Sequence, residues 1–117
     1  MNLETIQNAK EEYSNIEFAS HSYDLHFHSD KTYEIVDTDV KKMKTIIDSG
    51  YYAYPYGDHN KEYRKALEDN DYKMAFTFGP GEEHRKASKK DNKYLIPRLN
   101  ISNDMPLWKY ILRIFLP

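Results

Sequence analysis

At 117 residues the chain has room for one modest hydrophobic core, and it contains no cysteine, which excludes disulfides, thiolate metal sites and cysteine nucleophiles. Hydrophobic residues at 39% and charged residues at 31% are the balance of a globular protein rather than a disordered one. The net charge of -2 conceals two ends of opposite sign: residues 1–83 hold 9 Lys/Arg against 17 Asp/Glu, and residues 84–117 hold 8 against 2.

No window reaches the roughly 18 apolar residues of a spanning helix, and Met1-Asn2-Leu3-Glu4-Thr5-Ile6 lacks the basic and then apolar pattern of a secretory leader. A single cytoplasmic domain over residues 1–117, without membrane contact, is therefore expected.

Leu3, Ile6, Lys10, Tyr13 and Ile16 recur at three- and four-residue spacing, which predicts an N-terminal amphipathic helix over residues 3–15 with Glu4, Glu11 and Glu12 on its polar face. The period then becomes two, through Phe18, Tyr23, Leu25 and Phe27, and again through Tyr33 and Ile35, which predicts a β-hairpin. Phe27 and Tyr33 share a face only if the loop has three residues, Ser29-Asp30-Lys31. That register sets Glu34 opposite His26 and gathers His26, His28 and Glu34 on one polar face.

Asp37 or Thr38 is positioned to cap a second helix through Val40, Met43, Ile46 and Ile47, with Gly50 suited to its left-handed end. Tyr51 to Gly57 reads as a tyrosine-rich connector, because Pro55 and Gly57 punctuate it. Asp58 is the expected cap of a third helix through Glu68 that buries Tyr63, Ala66 and Leu67. Tyr72, Met74, Phe76 and Phe78 alternate with Lys73, Ala75 and Thr77, which predicts a central strand.

Residues 79–93 carry no apolar period and are expected to form a mobile basic loop. Leu95, Leu99 and Ile101 suggest a further strand, which Pro97 confines to an edge or a bulge. Trp108, Ile111, Leu112 and Phe115 then match a helical face expected to close the core. The architecture these elements predict is a small α+β domain: a mostly antiparallel sheet of about four strands covered by three or four helices.

Three chemistries compete. The string Asp24-Leu25-His26-Phe27-His28-Ser29-Asp30 resembles the first metal-binding motif of the polymerase and histidinol phosphatase superfamily, in which an Asp-x-His-x-His strand supplies imidazoles to divalent metals for phosphoester hydrolysis. The resemblance covers about seven residues. It implies that His26 and His28 are ligands and that a metal-bound hydroxide is the attacking group. His21, His59 and His84 are the histidines left to complete such a site, and His59 lies one helical turn from Glu62.

Four tyrosines within six residues, Tyr51, Tyr52, Tyr54 and Tyr56, offer large contact area at low rotamer cost and suit a binding surface as well as they suit packing. Arg85, Lys86, Lys89 and Lys90 add a cationic stretch able to meet phosphate or an acidic partner, or simply to solubilise. Neither a Gly-x-Ser-x-Gly elbow nor a phosphate-binding glycine loop is present.

The preferred reading is a non-catalytic binding protein. Its size and lack of motifs suit a phage-like or accessory inhibitor that engages a macromolecular partner, foremost a protein, through the tyrosine and basic segments. The alternatives are a small metal-dependent phosphoesterase or hydrolase using His26 and His28, and a nucleotide or nucleic-acid binding module. No cofactor is expected except, in the second case, a divalent metal; self-association is compatible with all three.

Overall fold

A computed structural model describes residues 2–25, 30–78, 85–99 and 101–115. Among them the chain forms a small, mostly helical α/β domain: α1 (Leu3–Glu12), α2 (Tyr33–Ile46), β1 (Tyr51–Ala53), a 3-10 turn (Pro55–Gly57), α3 (Lys61–Asp69), β2 (Met74–Phe76) and α4 (Leu107–Phe115).

The sheet is parallel. β1 and β2 pair in the register Tyr51–Met74, Tyr52–Ala75 and Ala53–Phe76. Isolated parallel bridges extend it on both sides, from Ser20 to Tyr52 and from Ile96 to Phe76. Four segments thus lie side by side in chain order, with α2 and α3 as the connections across the first two steps. The expected antiparallel sheet is corrected by this arrangement, because parallel neighbours require a crossover helix, and α3 is one.

The expected hairpin is corrected with it. Tyr33 begins α2 instead of a second strand. Tyr33, Val36 and Val40 recur at helical spacing, and this longer period outweighs the two-residue alternation of Tyr33 and Ile35. Glu34 lies in the first turn, where the helix dipole favours a carboxylate, and Asp37 pairs with Lys41 at 2.6 Å one turn on. Thr32, rather than Asp37 or Thr38, is the N-cap.

The core lies between α2, α3 and one face of the sheet. Val36 and Val40 of α2, Tyr63, Ala66 and Leu67 of α3, and Tyr52, Tyr54, Tyr72, Ala75 and Tyr94 form it. The β2 alternation runs opposite to the expected one. Ala75 and Thr77 are buried while Met74 is 41% exposed, because rings from neighbouring elements already fill the space beneath the helices. Tyr52 meets Tyr54, Tyr63 and Tyr72 at centroid distances of 5.5–5.7 Å, which leaves room for only a small residue at its register partner, Ala75.

The buried hydroxyls have partners: Tyr52 with Tyr63, Tyr54 with the Tyr94 carbonyl at 3.0 Å, Tyr94 with the Tyr72 carbonyl at 2.8 Å, and Tyr72 with Ser20 Oγ at 3.0 Å. Burial raises the Tyr52, Tyr54 and Tyr63 phenols well above the ordinary tyrosine range.

Among the described residues, asparagines cap α1 and α3 through their side chains. Asn2 accepts from the Thr5 amide at 2.8 Å, and Asn60, in place of the expected Asp58, accepts from the Tyr63 amide at 2.7 Å. Gly50 does not adopt a left-handed conformation; Gly57 does, at φ 71°. The terminal helix forms as expected, but it does not close the core: α4 buries none of its residues, and Trp108 and Phe115 are 63% and 74% exposed. No helix among the described residues is long and apolar enough to cross a membrane.

Candidate functional site

Parallel strands deliver their following loops to one edge of the sheet, and a cleft of about 500 Å³ lies at that edge. Residues 21–25, which follow the Ser20 bridge, form one wall. Among the described residues, Pro55 and Tyr56, which follow β1, and Phe78, which follows β2, face it.

His21 is the chemically distinctive group in the cleft. Hydrogen bonds from the Ser20 amide to the Tyr51 carbonyl at 2.9 Å and from the Ala53 amide to the Ser20 carbonyl at 2.8 Å fix the backbone just before it. Its Nδ1 then donates to the Ala53 carbonyl at 2.7 Å. A carbonyl oxygen can only accept, so Nδ1 carries a proton, and in the neutral ring the lone pair is then on Nε2. That is the arrangement of an imidazole prepared to ligate a cation or to take up a proton.

The opposite wall depends on close backbone approach. Tyr56 and Gly57 take positive φ in succession, at 54° and 71°, and a Cβ on Gly57 would lie 1.3 Å from the Phe78 carbonyl oxygen. Only glycine lets the Pro55–Gly57 turn rest on the chain leaving β2. Tyr56 consequently stands at the rim, 70% exposed. Arg98 Nε donates to the Thr77 carbonyl at 3.0 Å, its Nη2 reaches the Tyr54 carbonyl at 3.5 Å and its guanidinium lies over the Phe78 ring, tying together the chain that leaves the two strands; desolvation lowers its pKa.

The sequence-derived site residues fall in different places. Tyr52 and Tyr54 are fully buried, Tyr51 is partly buried, and Tyr56 alone of the four reaches the cleft. Arg85 is paired with Asp91 at 2.8 Å, Lys89 and Lys90 are exposed, and Lys86 is half-buried. Glu34 is exposed on α2, so the hairpin register that set it opposite His26 does not exist. His26 and His28 lie outside the described residues, as does His84. His59 accepts at Nδ1 from Arg64 at 3.1 Å and packs on Tyr54, which accounts for its place before α3. Among the described residues no three His, Asp or Glu side chains come together as a metal site.

Sequence reasoning named His21 only as one of three histidines left to complete a site around His26, and Pro55, Tyr56 and Gly57 only as the end of a tyrosine-rich connector. The signal for His21 was available: it stands five residues before His26, so two imidazoles flank one short polar loop. The alternation through His26 and His28 drew attention away from it.

The poly-beta-1,6-N-acetyl-D-glucosamine N-deacetylase of Staphylococcus epidermidis is 31% identical over 102 residues, covering 75% of this chain. The chain spans about a third of that relative's length, 34%. The family profile described as polysaccharide deacetylase matches residues 4–75. These findings overturn the expectation of a non-catalytic binding protein or phage-like inhibitor and favour the hydrolase alternative, in a family other than the phosphatase superfamily suggested by the Asp24–Asp30 string. With most of its length matched, and with the cleft walls at residues 21–25 and 55–56 inside the matched span, the chain belongs to the polysaccharide deacetylase family.

Proposed function

We infer that the cleft at the carboxyl ends of the parallel strands is a hydrolase site that removes acetyl groups from the amino sugars of a polysaccharide. The observation that carries this reading is the His21 imidazole, held by the Ala53 carbonyl with Nε2 available, inside the span matched by the family. The β-1,6-linked N-acetylglucosamine polymer named for the staphylococcal relative is the first substrate to consider.

The reaction adds water across the acetamide. Oxygen bonds to the carbonyl carbon, the carbon–nitrogen bond breaks, the nitrogen gains a proton and leaves as an amine, and acetate is released. Tyr23, Tyr56 and Phe78 surround the space with ring surface that suits the apolar face of a pyranose, and the volume falls in the range of small-ligand clefts, about 300–1,000 Å³.

His21 fits one position in the coordination of a divalent cation, and the described residues do not complete a set. Such an ion would supply Lewis-acid polarisation of the acetyl carbonyl. Aside from any ion, His21 Nε2 can hold or pass a proton, and the 21–25 wall orients the sugar against the Tyr56 rim.

Acetate release from a short β-1,6-linked N-acetylglucosamine oligomer, measured with and without added zinc, cobalt or nickel, tests the reading. Wild type should release acetate and His21→Ala should fall to background while keeping its fold. Equal release by the two proteins, or none by wild type under any of these conditions, would overturn it.

A further inference from the structure

The segment after His21 is held by one buried carboxylate. Asp39 lies in α2 between the core residues Val36 and Val40 and is only 7% exposed. Its Oδ2 accepts from Ser22 Oγ at 2.9 Å and from the Tyr23 amide at 3.0 Å, and its Oδ1 accepts from the Asp24 amide at 2.8 Å. Ser22 Oγ accepts in turn from the Leu25 amide at 2.8 Å. Four successive residues of the cleft wall are therefore tied, directly or through one hydroxyl, to a single side chain on a helix.

This concentration of donors exceeds what packing requires. Ser22 sits at φ 70°, a conformation that costs a serine of order 1 kcal/mol or more unless its surroundings impose it. The three donors converging on Asp39 are what impose it. The strained residue immediately follows His21, so the carboxylate fixes the chain just beyond the imidazole as the Ser20–β1 bonds fix it just before.

We propose that Asp39 is the positioning residue of this site: by accepting from Ser22, Tyr23 and Asp24 it holds the 21–25 wall in the one backbone path that keeps His21 Nδ1 on the Ala53 carbonyl. The proposal rests on the deacetylase reading for its catalytic consequence and on the geometry alone for its structural one. An asparagine at position 39 has one acceptor oxygen and one amide nitrogen. If the nitrogen takes the Oδ1 place, the Asp24 amide faces a donor; if it takes the Oδ2 place, Ser22 and Tyr23 do. Either orientation leaves at least one donor unmatched.

The test compares wild type, Asp39→Asn and Ser22→Ala by three measurements: amide hydrogen exchange at Tyr23 and Asp24, the imidazole nitrogen resonances of His21, and the steady-state kinetics of acetate release. In Asp39→Asn the two amides should exchange at least about tenfold faster, and His21 should lose its single Nδ1-protonated signature. The turnover number should fall by about 10–100-fold with KM changed less than about twofold, the size expected when a group that orients a reacting side chain is lost.

Ser22→Ala keeps the backbone contacts to Asp39 and should show the same changes to a smaller degree; it serves as the readout if Asp39→Asn does not fold. A His21 spectrum and a turnover number unchanged in a folded variant, apart from a lower melting temperature, would reduce Asp39 to a structural residue and overturn the proposal. If wild type releases no acetate while Asp39→Asn still alters the His21 resonances and the two amides, the deacetylase reading falls and the positioning role stands.

Discussion

Replacing Gly57 by alanine should cost more than its size suggests, because two penalties coincide. Its φ of 71° is left-handed, which costs an alanine about 1–2 kcal/mol. The added Cβ would also lie 1.3, 2.3 and 2.6 Å from the Phe78 carbonyl oxygen, carbonyl carbon and amide nitrogen. Backbone atoms cannot swing aside as a flexible side chain does, so the turn and the end of β2 must separate, a rearrangement of about 1–3 kcal/mol. The total of roughly 2–5 kcal/mol is a large share of the roughly 5–15 kcal/mol that stabilises a domain of this size. With an unfolding entropy of about 0.25 kcal/mol/K for 117 residues, the melting temperature should drop by about 8–20 °C. Gly50→Ala is the control. The three atoms nearest its Cβ would all belong to the flexible Lys73 side chain, the first at 3.2 Å, and the change should cost less than about 0.5 kcal/mol. Urea unfolding with a common m-value measures both. A Gly57→Ala protein within about 1 kcal/mol of wild type would refute the close-approach argument.

Tyr63→Phe should lower urea stability by about 1 kcal/mol by removing the hydroxyl bonded to Tyr52, and the Tyr52→Phe/Tyr63→Phe double variant should cost less than the sum of the singles; additive costs would show that the two hydroxyls are not coupled. Tyr33 donates to Asp69 at 2.7 Å, which raises its phenol to about 12. The contribution of that bond is therefore complete below the ordinary tyrosine pKa of about 10 and is lost as the pH climbs toward 12, so a Tyr33→Phe protein should show a flatter fall in melting temperature over that range. Lys65 and Tyr33 hold Asp69 below the ordinary carboxylate range, and Lys41 and Asn70 do the same for Asp37. Stability from both is present above that range and declines as the pH falls through their lowered values; an Asp37→Asn/Asp69→Asn protein with the same acid limb as wild type would contradict this.

Helices were more legible in the sequence than strands, for a reason visible in β1 and β2. Tyr63, Ala66 and Leu67 announce the buried side of α3 because an amphipathic helix writes its orientation into a period of about 3.6 residues. Strands of three residues carry too few positions for a period to declare itself. Tyr51–Ala53 was hidden in a tyrosine-rich stretch, and the alternation through Met74 and Phe76 pointed to the wrong face. The decisive quantity was shape: Tyr52, Tyr54, Tyr63 and Tyr72 fill the volume beneath α2 and α3, so the sheet turns its alanine and threonine toward them. No residue-by-residue hydropathy scale contains that information, because it belongs to the sum of several side chains.

The site was obscured by the same misreading of strand direction. An antiparallel hairpin would have gathered His26, His28 and Glu34 on a shared face and left residues 51–57 as an exposed connector. A parallel sheet with its strands in chain order instead sends the residue after each strand to the same edge, which brings together His21, Pro55, Tyr56 and Phe78 from stretches far apart in sequence. Once the direction of pairing is known, the polar residue following Ser20 and the Pro-Tyr-Gly turn following β1 become neighbours by topology alone. The buried Asp39 belongs to the same logic. The helix that makes the parallel crossover must lie over the strands it connects, so it is the element best placed to reach back and hold the loop from which it departs.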